Sequence, residues 1–340
     1  MAKQSSGKQN ESGQSSAAQR RENARQQRQA ASQRNQQQRR NRRRVQQKSN
    51  RGLWITLGIA LVAIAAAIGI FIYISSRSSS SSNTYPTTPA DPAIVQQVTS
   101  VSPSVLATVG TGSGKVVNVP KKVGNSLPLL KGPTGKPEVF YLGGEFCPFC
   151  AADRWSMVVA LSRFGTFHNL RQTSSSPTDV YPNTPTFSFY QSSYPSQYVD
   201  FVPVEGQSYQ GVTLQQLTPE QQQLVNTYDS GGSIPFIDIA NRYTVSGASY
   251  DPQVLSNQSA QAIANALSNP QSPIAQSILG TANYLTAAIC EATNQQPASV
   301  CAAAPIPQVE QALNNASGSN GTQGNPSLSF VAARHQSWND

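Results

Sequence analysis

The sequence predicts an α/β domain that is held at a membrane by one helix. An uncharged apolar stretch at 53–74 is long enough to cross a bilayer. A short apolar run at 137–144 ends in two glycines, and a helical pattern follows it directly. Two strand-like runs, 236–240 and 243–247, are separated by two residues and predict a hairpin. Alternation of strand and helix signals along one chain is typical of α/β folds.

The first 52 residues form a basic tail. They hold 14 of the 25 lysines and arginines of the chain and only two of its acids, so the high isoelectric point belongs to this segment. Almost no large apolar residue occurs in it, which predicts disorder. Such a tail can bind nucleic acid through phosphates. The segment that follows instead favours a solvated cytoplasmic tail near anionic lipid head groups, and no nucleic-acid partner is expected.

Residues 53–74 are predicted to form a transmembrane helix. At the helical rise they span about 33 Å, and Trp54 and Tyr73 lie near the ends, where aromatic rings favour the membrane interface. A cleaved signal peptide is the alternative, but its apolar region would be shorter and a small-residue cleavage site should follow. Because the basic residues precede the span, we expect a cytoplasmic N-terminus and an extracytoplasmic C-terminal part.

Three segments follow the predicted span. Residues 75–92 are rich in Ser, Thr and Pro and are expected to be a flexible linker. Residues 93–312 are expected to fold as an extracytoplasmic domain, which is long enough for one core. Residues 313–340 are rich in Gly, Asn and Ser and are predicted to be a disordered tail. All four cysteines fall on the oxidising side, where disulfides persist.

Local patterns predict the remaining elements of the domain. Further strands are expected at "TPTFSFYQ" and "YVDFVPVE". Helices are expected on both sides of Pro103, from Cys147–Pro148 to Gly165, and over "TPEQQQLVNTYDSGG", "NQSAQAIANALSNP" and "SPIAQSILGTANYLTAAICEAT". The last of these has an apolar face that should pack on the domain, formed by Ile274, Ile278, Ala282, Leu285 and Ile289.

The stretch "EFCPFCAADRW" carries the candidate chemistry. Cys147 and Cys150 have two residues between them and lie where the strand gives way to the helix. If the helix begins at Cys147–Pro148, the first thiol lies beside unpaired backbone N–H groups and the positive end of the helix dipole, which favour its thiolate. Cys150, one turn further on, should be more buried and less reactive. An exposed attacking sulfur and a sheltered partner suit thiol–disulfide exchange.

Three interpretations of this pair compete. A redox pair fits the export, the spacing and the strand–helix context. A zinc site would join Cys147 and Cys150 to Cys290 and Cys301, but the second pair is too widely spaced and the compartment oxidises thiols. A disulfide that never turns over would close so short a loop that it adds little stability. No metal and no other cofactor is therefore expected.

Cys290 and Cys301 are expected to form a structural disulfide that ties the last predicted helix to the segment after it. A loop of this length corresponds to about 3 kcal/mol of stabilisation through chain entropy. The alternative, a second redox pair that relays electrons to Cys147, has only the number of cysteines in its favour.

Several of these segments together resemble a known fold. A strand, CPFC, a helix and then "SIPFIDI", with a proline before a strand of a hairpin, resemble the thioredoxin fold, and CPFC is similar to the active-site tetrad of glutaredoxins. "GKPEVFYLGGEFCPFCAADRWSMVVALSRFGTF", "IPFIDIANRYTVSGASY" and "AICEAT…ASVC" resemble a membrane-anchored, thioredoxin-like family of bacterial and archaeal proteins, which is catalogued as a domain of unknown function. The resemblance covers about 93–305 and implies a central mixed sheet flanked by helices.

The resemblance also implies roles for single residues. It makes Cys147 the nucleophile, Cys150 the resolving thiol and Pro235 a cis-proline that faces them. A cis bond would turn the backbone of Ile234 towards the cleft, where an extended substrate can pair beside the disulfide. Phe146 and Phe149 are expected to contribute, with Ile234, to substrate binding.

The sequence departs from the thioredoxin pattern at one position. Thioredoxins carry a buried acid six residues before the first cysteine, and this chain has Tyr141 there. Glu145 and Glu138 are the candidates to replace that acid, although a carboxylate so near the thiol opposes thiolate formation.

The expected function follows from these observations. We expect a membrane-anchored, extracytoplasmic thiol–disulfide oxidoreductase that acts on thiols and disulfides of exported proteins and exchanges electrons with an unidentified redox partner. The alternative is a non-catalytic thioredoxin-fold module that binds or scaffolds other proteins at the cell surface.

Overall fold

The computed structural model describes residues 33–34, 37–38, 87–123 and 127–318. The strands are β1 (Thr88–Pro89), β2 (Lys121–Lys122), β3 (Glu138–Gly143), β4 (Arg171–Ser174), β5 (Pro185–Ser188), β6 (Asp200–Glu205), β7 (Phe236–Ile239) and β8 (Tyr243–Ser246). The helices are α1 (Pro92–Thr99), α2 (Pro103–Val109), α3 (Pro148–Leu161), α4 (Pro219–Tyr228), α5 (Ala260–Ala266), α6 (Pro273–Ala292), α7 (Ala298–Cys301) and α8 (Ile306–Gly318).

Strand β3 lies inside a five-stranded mixed sheet with the order β2–β8–β7–β3–β6. It pairs parallel with β6 and antiparallel with β7, while β7 and β8 form the predicted hairpin. The apolar run that predicted β3 is buried over Val139–Gly143, as expected of a strand covered on both faces. The protein is therefore a mixed α/β structure whose sheets are flanked by helices.

Alternate residues of β3 serve two separate cores. Val139 and Tyr141 face the larger core, in which they meet α3 and the long helix α6. Phe140 and Leu142 point the other way, into a smaller core that includes Val225 of α4. This alternation follows from the two-residue period of a strand. It places α3 and α6 on one face of the sheet and α4 on the opposite face.

A second, three-stranded antiparallel sheet packs on the far side of α3, in the order β1–β4–β5. The indole of Trp155 donates a hydrogen bond to the backbone oxygen of Pro185 (2.9 Å), and its ring lies 4.7 Å from that of Phe187. The hydroxyl of Thr186 donates to the backbone oxygen of Ala151 (2.8 Å). As a result α3 is buried around nearly its whole circumference, and not on one face only as the periodicity predicts.

Both predicted limits of the folded domain differ from the observed ones. Thr88–Pro89 pairs with β4 and α1 begins at Pro92, so the folded part starts inside the linker predicted at 75–92. At the other end α8 continues to Gly318, beyond the expected limit of 312. Its apolar residues Ile306, Val309 and Leu313 are buried in the larger core, and the burial of Leu313 ties the helix to the domain beyond the predicted limit.

Several sequence predictions fall outside the described residues. The predicted membrane span at 53–74 and residues 319–340 of the predicted C-terminal tail lie there entirely, and so does the basic tail except for 33–34 and 37–38. Among the described helices, none is both long and apolar enough to cross a membrane.

The disulfide predicted between Cys290 and Cys301 is present and joins the end of α6 to α7. Both cysteines are buried within the larger core. Cys290 and Cys301 are therefore not available as the second half of the zinc site considered above.

We expect the double substitution Cys290→Ser/Cys301→Ser to lower the free energy of unfolding by about 3 kcal/mol, because the unfolded chain then regains the entropy of an open loop. Urea unfolding under non-reducing conditions measures the difference. The matched control is Cys147→Ser/Cys150→Ser, which removes two thiols that form no disulfide in this structure. Equal stability of the C290S/C301S variant and the unsubstituted protein would contradict the prediction.

Candidate functional site

Two glycines shape the turn that brings β3 to the cysteines. A Cβ atom on Gly143 would lie 2.1 Å from the hydroxyl oxygen of Tyr141, and one on Gly144 would lie 2.5 Å from the ring of Phe146. Real Cβ atoms do not approach other atoms so closely, so a side chain at either glycine would displace the ring of Tyr141 or Phe146. The turn therefore holds Tyr141 and Phe146 against the backbone just before Cys147.

Cys147 caps the N-terminus of α3, where the sequence predicted the helix to begin. Its backbone is extended and Pro148 occupies the first helical position. The sulfur accepts a hydrogen bond from the backbone N–H of Cys150 at 3.3 Å, so a thiol performs the capping role that Ser or Asp usually has. The Cys147 thiol in turn donates to the backbone oxygen of Ile234 at 3.8 Å.

The loop before β7 supplies the opposite wall of the site. The Ile234–Pro235 peptide bond is cis, as the resemblance implies, and Pro235 is buried while Ile234 stays half-exposed. The contact with Cys147 spans 87 positions of the sequence. It arises because β7 pairs antiparallel with β3 and so starts where β3 ends. Cys147 and Cys150 therefore lie beside the Ile234–Pro235 peptide bond.

Burial differs from the expectation at Cys147. Cys150 is fully buried as predicted, but Cys147 is only 5 % exposed and is not an openly accessible sulfur. Burial raises the pKa of the Cys150 thiol well above its ordinary value, and the hydrogen bond and charge of Cys147 act in the same direction. Both cysteines are free thiols in this structure.

Tyr141 occupies the position of the acid that thioredoxins carry, and it cannot act as that acid. Its ring is fully buried and contacts the ring of Phe189 edge-on at 5.3 Å. Burial raises the pKa of Tyr141 well above its ordinary value, so the phenol keeps its proton. Its hydroxyl has no hydrogen-bond partner among the described residues.

The two acids proposed as replacements lie in different places. Glu145 is fully buried in the turn before Cys147, and its backbone N–H donates to the backbone oxygen of Gln207 (2.8 Å). Glu138 begins β3, about 17 Å along the strand from Gly143, so it is too far away to exchange protons with the cysteines directly. Burial and the neighbouring acids Asp238 and Asp200 raise the pKa of Glu138 to about 7.

A buried ion pair that the sequence analysis missed lies beneath the cysteines. Arg154 donates two hydrogen bonds to the Glu205 carboxylate, from Nε to Oε1 (2.8 Å) and from Nη2 to Oε2 (2.6 Å). Neither side chain is exposed. The guanidinium carbon lies 5.8 Å from the centre of the Tyr141 ring. Two adjacent charged residues, Asp153 and Arg154, inside a largely apolar helix were the available signal.

Another buried acid, Asp153, directly precedes Arg154 in α3. Its carboxylate accepts hydrogen bonds from the backbone N–H (3.1 Å) and the hydroxyl (3.2 Å) of Ser249. Burial raises the pKa of Asp153 to about 7, against the effect of these hydrogen bonds. The carboxyl group therefore gains its proton in the folded protein at a much higher pH than in the unfolded chain.

Apolar side chains surround the mouth of the site. Phe146 and Phe149 are half-buried, and the ring of Phe149 contacts that of Tyr181 at 6.0 Å. Tyr181 belongs to the β4–β5 loop (residues 175–184), which the sequence analysis did not connect with the site. The loop is tied to the CPFC turn by a hydrogen bond from the N–H of Ser176 to the oxygen of Phe146 (2.8 Å). In the same loop Val180 is 66 % exposed.

The described residues contain no group of three or more His, Cys, Asp or Glu side chains arranged to hold a metal ion. Together with the Cys290–Cys301 disulfide, this finding opposes the zinc alternative within that part of the chain.

Asp153 should make folding stability depend on pH. Its folded pKa of about 7 lies above the ordinary value of 3.8, so the folded state holds the extra proton between these values. The contribution of Asp153 to the free energy of unfolding is therefore greatest below about pH 4 and is lost as the pH rises through about 7.

Asp153→Asn removes the titration and keeps the size of the side chain. The stability of the unsubstituted protein relative to D153N should therefore fall by about 1 kcal/mol per pH unit as the pH rises between these limits. Urea unfolding at several pH values measures the difference, and a difference that stays constant would refute the assignment.

Comparison with known protein families gives one match. Residues 127–291 match the model of a domain of unknown function, DUF929. The matched segment includes the central strands β3, β6, β7 and β8, the CPFC turn, Arg154 and Glu205, and it ends in α6. No curated protein and no solved structure matches the chain. The chain is therefore similar to this domain over just under half of its length.

Proposed function

We propose that this protein is a thiol–disulfide oxidoreductase whose redox pair is Cys147 and Cys150. The observation that carries the proposal is the position of the Cys147 sulfur. It lies between the N-terminus of α3 and the backbone oxygen of Ile234, within 3.3 Å of the Cys150 N–H and 3.8 Å of that oxygen. Backbone N–H groups at a helix N-terminus stabilise negative charge, and the thiolate is the reactive form of cysteine.

The arrangement of the chain around the cysteines supports a thioredoxin-like fold as part of the proposal. The motif lies between a strand and a helix, the sheet is mixed, and a cis-proline precedes the first strand of the hairpin. The resemblance to thioredoxins rests on the order of strand, CPFC, helix and a proline before a hairpin, and it implies the mixed sheet and the cis bond. The added sheet of β1, β4 and β5 is a further element on the same scaffold.

The proposed chemistry has two steps. The Cys147 thiolate attacks one sulfur of a client disulfide, forms a mixed disulfide and releases the other client sulfur as a thiol after proton uptake. Cys150 then attacks Cys147, which closes the Cys147–Cys150 disulfide and releases the second client thiol. Two electrons pass from the cysteine pair to the client. The same steps in reverse oxidise a client dithiol, and an external redox partner restores the pair.

Clients are proposed to bind across the apolar surface at the mouth of the site. Phe146, Phe149 and Ile234 are half-exposed around the nearly buried Cys147. An apolar segment of a client can cover these side chains and remove them from water, which favours association. The proposed clients are exported proteins, because the predicted membrane span precedes this part of the chain.

The two cysteines should differ in a trapping experiment. With disulfide-linked insulin as the client, full-length protein bearing Cys150→Ser should accumulate a mixed disulfide through Cys147, since no second thiol remains to release it. Cys147→Ser should trap none. Non-reducing electrophoresis followed by mass spectrometry identifies the linkage.

Turnover gives the control for this experiment. The unsubstituted protein should accelerate reduction of insulin by dithiothreitol, and Cys147→Ser/Cys150→Ser should not. If C147S and C150S trap insulin equally, or if the unsubstituted protein is no faster than C147S/C150S, the oxidoreductase proposal fails. The non-catalytic binding or scaffold module then becomes the better explanation.

The membrane anchor is the second part of the proposal, and it has its own test. Two lysines in the predicted span, Val62→Lys and Ala66→Lys, should release the protein into the soluble fraction, since each charge opposes insertion by about 3 kcal/mol. The matched control places lysines in the linker, at Ser79 and Ser81. Cell fractionation should find the control and the unsubstituted protein in the membrane. Equal distribution of all three would contradict the anchor.

A further inference from the structure

The buried ion pair beneath the cysteines leaves one nitrogen of the guanidinium without a hydrogen-bond partner among the described residues. Glu205 accepts hydrogen bonds from Nε and Nη2 of Arg154, while Nη1 has no partner among the described residues. The neighbouring hydroxyl of Tyr141 has none either. Both groups can donate hydrogen bonds, and both are fully buried. A buried donor without a partner is uncommon in proteins and calls for an explanation.

Both donors belong to the surroundings of Cys150. Arg154 follows Cys150 by one helical turn, which puts the two side chains on the same face of α3. The positive charge of Arg154 favours the thiolate of Cys150, against the effect of burial, and so does the backbone N–H of Gly144. The other titratable groups nearby are Cys147 and Tyr141, while Glu145 lies in the preceding turn. Glu205 faces Arg154 from β6.

The second step of the proposed exchange requires an ionised Cys150. That sulfur is fully buried, and burial opposes its charged form. In thioredoxins a buried acid near this sulfur removes the proton, but Tyr141 holds its own proton too firmly to serve as a base. The step therefore needs a group that stabilises the negative charge where it forms.

We propose that Arg154 is that group: the guanidinium, held in place by Glu205, stabilises the Cys150 thiolate during the second step, and the Tyr141 hydroxyl assists as a hydrogen-bond donor. This inference rests on the proposed function and identifies the device that replaces the missing acid. In the step, the Cys150 sulfur bonds to Cys147 and the Cys147–client bond breaks. The Cys150 proton passes through solvent to the departing client thiolate, so atoms and charge balance.

A chromogenic disulfide separates the two steps. Reduced full-length protein attacks dithiobis(nitrobenzoate) through Cys147 and releases one coloured thiolate. The attack of Cys150 on the resulting mixed disulfide releases the second. Stopped-flow absorbance therefore gives a rate for each step, and measurements from about pH 6 to about pH 9 cover the titration range of cysteine.

Two variants isolate the charge of Arg154. Glu205→Gln leaves this charge in place without its counter-charge, so the second step should become faster at neutral pH. The double variant Glu205→Gln/Arg154→Gln lacks the positive charge. The second step of this variant should be at least about tenfold slower than that of E205Q, which is the smallest effect expected for loss of a nearby opposite charge. The pH dependence of its second-step rate should also shift to higher pH. The first step should change much less in both variants.

A second step that is faster in E205Q than in the unsubstituted protein distinguishes this role from a structural one, since mere loosening of the site would slow both variants. Arg154→Lys provides a second comparison if E205Q does not fold, because it retains the charge and should keep the second step close to that of the unsubstituted protein. Unchanged rates and pH profiles of the second step across these variants would overturn the inference. Failure of the unsubstituted protein to release the coloured thiolate through Cys147 would instead overturn the proposed function.

Discussion

Helix α3 is packed against the central sheet and α6 on one side and against the small sheet of β1, β4 and β5 on the other. Of its 14 residues, all except Phe149 are buried. A helix enclosed in this way cannot turn a polar face to water, so each of its polar side chains needs a partner inside the protein. Asp153 accepts a hydrogen bond from Ser249, and Arg154 donates one to Glu205. The position of α3 thereby determines where the loop after β8 and the end of β6 must lie.

The same enclosure explains the properties of the cysteine pair. Cys147 and Cys150 lie at the start of the enclosed helix. Phe149, which lies between them in the sequence, is half-exposed. A thiol at such a place is removed from water while it stays close to the unpaired N–H groups of the helix end. Cys150 points inward and lies within the influence of the Arg154 charge. The electrostatic surroundings of these sulfur atoms therefore come mainly from fixed charges and dipoles of the protein and only slightly from solvent.

Much of this arrangement can be predicted from local sequence. The apolar run ended by Gly143–Gly144, the proline after Cys147 and the hairpin around Asn241 each carry a signal within a few residues, and the structure has the corresponding elements. The disulfide followed from the cysteine positions and the expected compartment. Burial of Cys147 could not be predicted in this way, because it depends on Ile234, which is 87 positions away.

The small sheet and the ion pair escaped prediction for related reasons. Strands β1 and β4 are short and largely polar, so nothing in their own sequences marks them as strands, and they form because β5 offers an edge beside α3. Arg154 and Glu205 are 51 positions apart, and neither residue reveals the other. Pairing of distant polar residues is decided by tertiary structure, which a local pattern does not contain.

Under the proposed function, the recess around Cys147 bears on which clients can react. A disulfide inside a folded protein is itself surrounded by side chains, and two recessed sulfur atoms cannot approach to bonding distance without collision. We therefore expect the proposed reaction to require a client disulfide on an extended, protruding stretch that can reach between the CPFC turn and Ile234. For an enzyme that exchanges disulfides, such geometry is a conformational filter: it admits chains that have not yet reached their native state and excludes those that have.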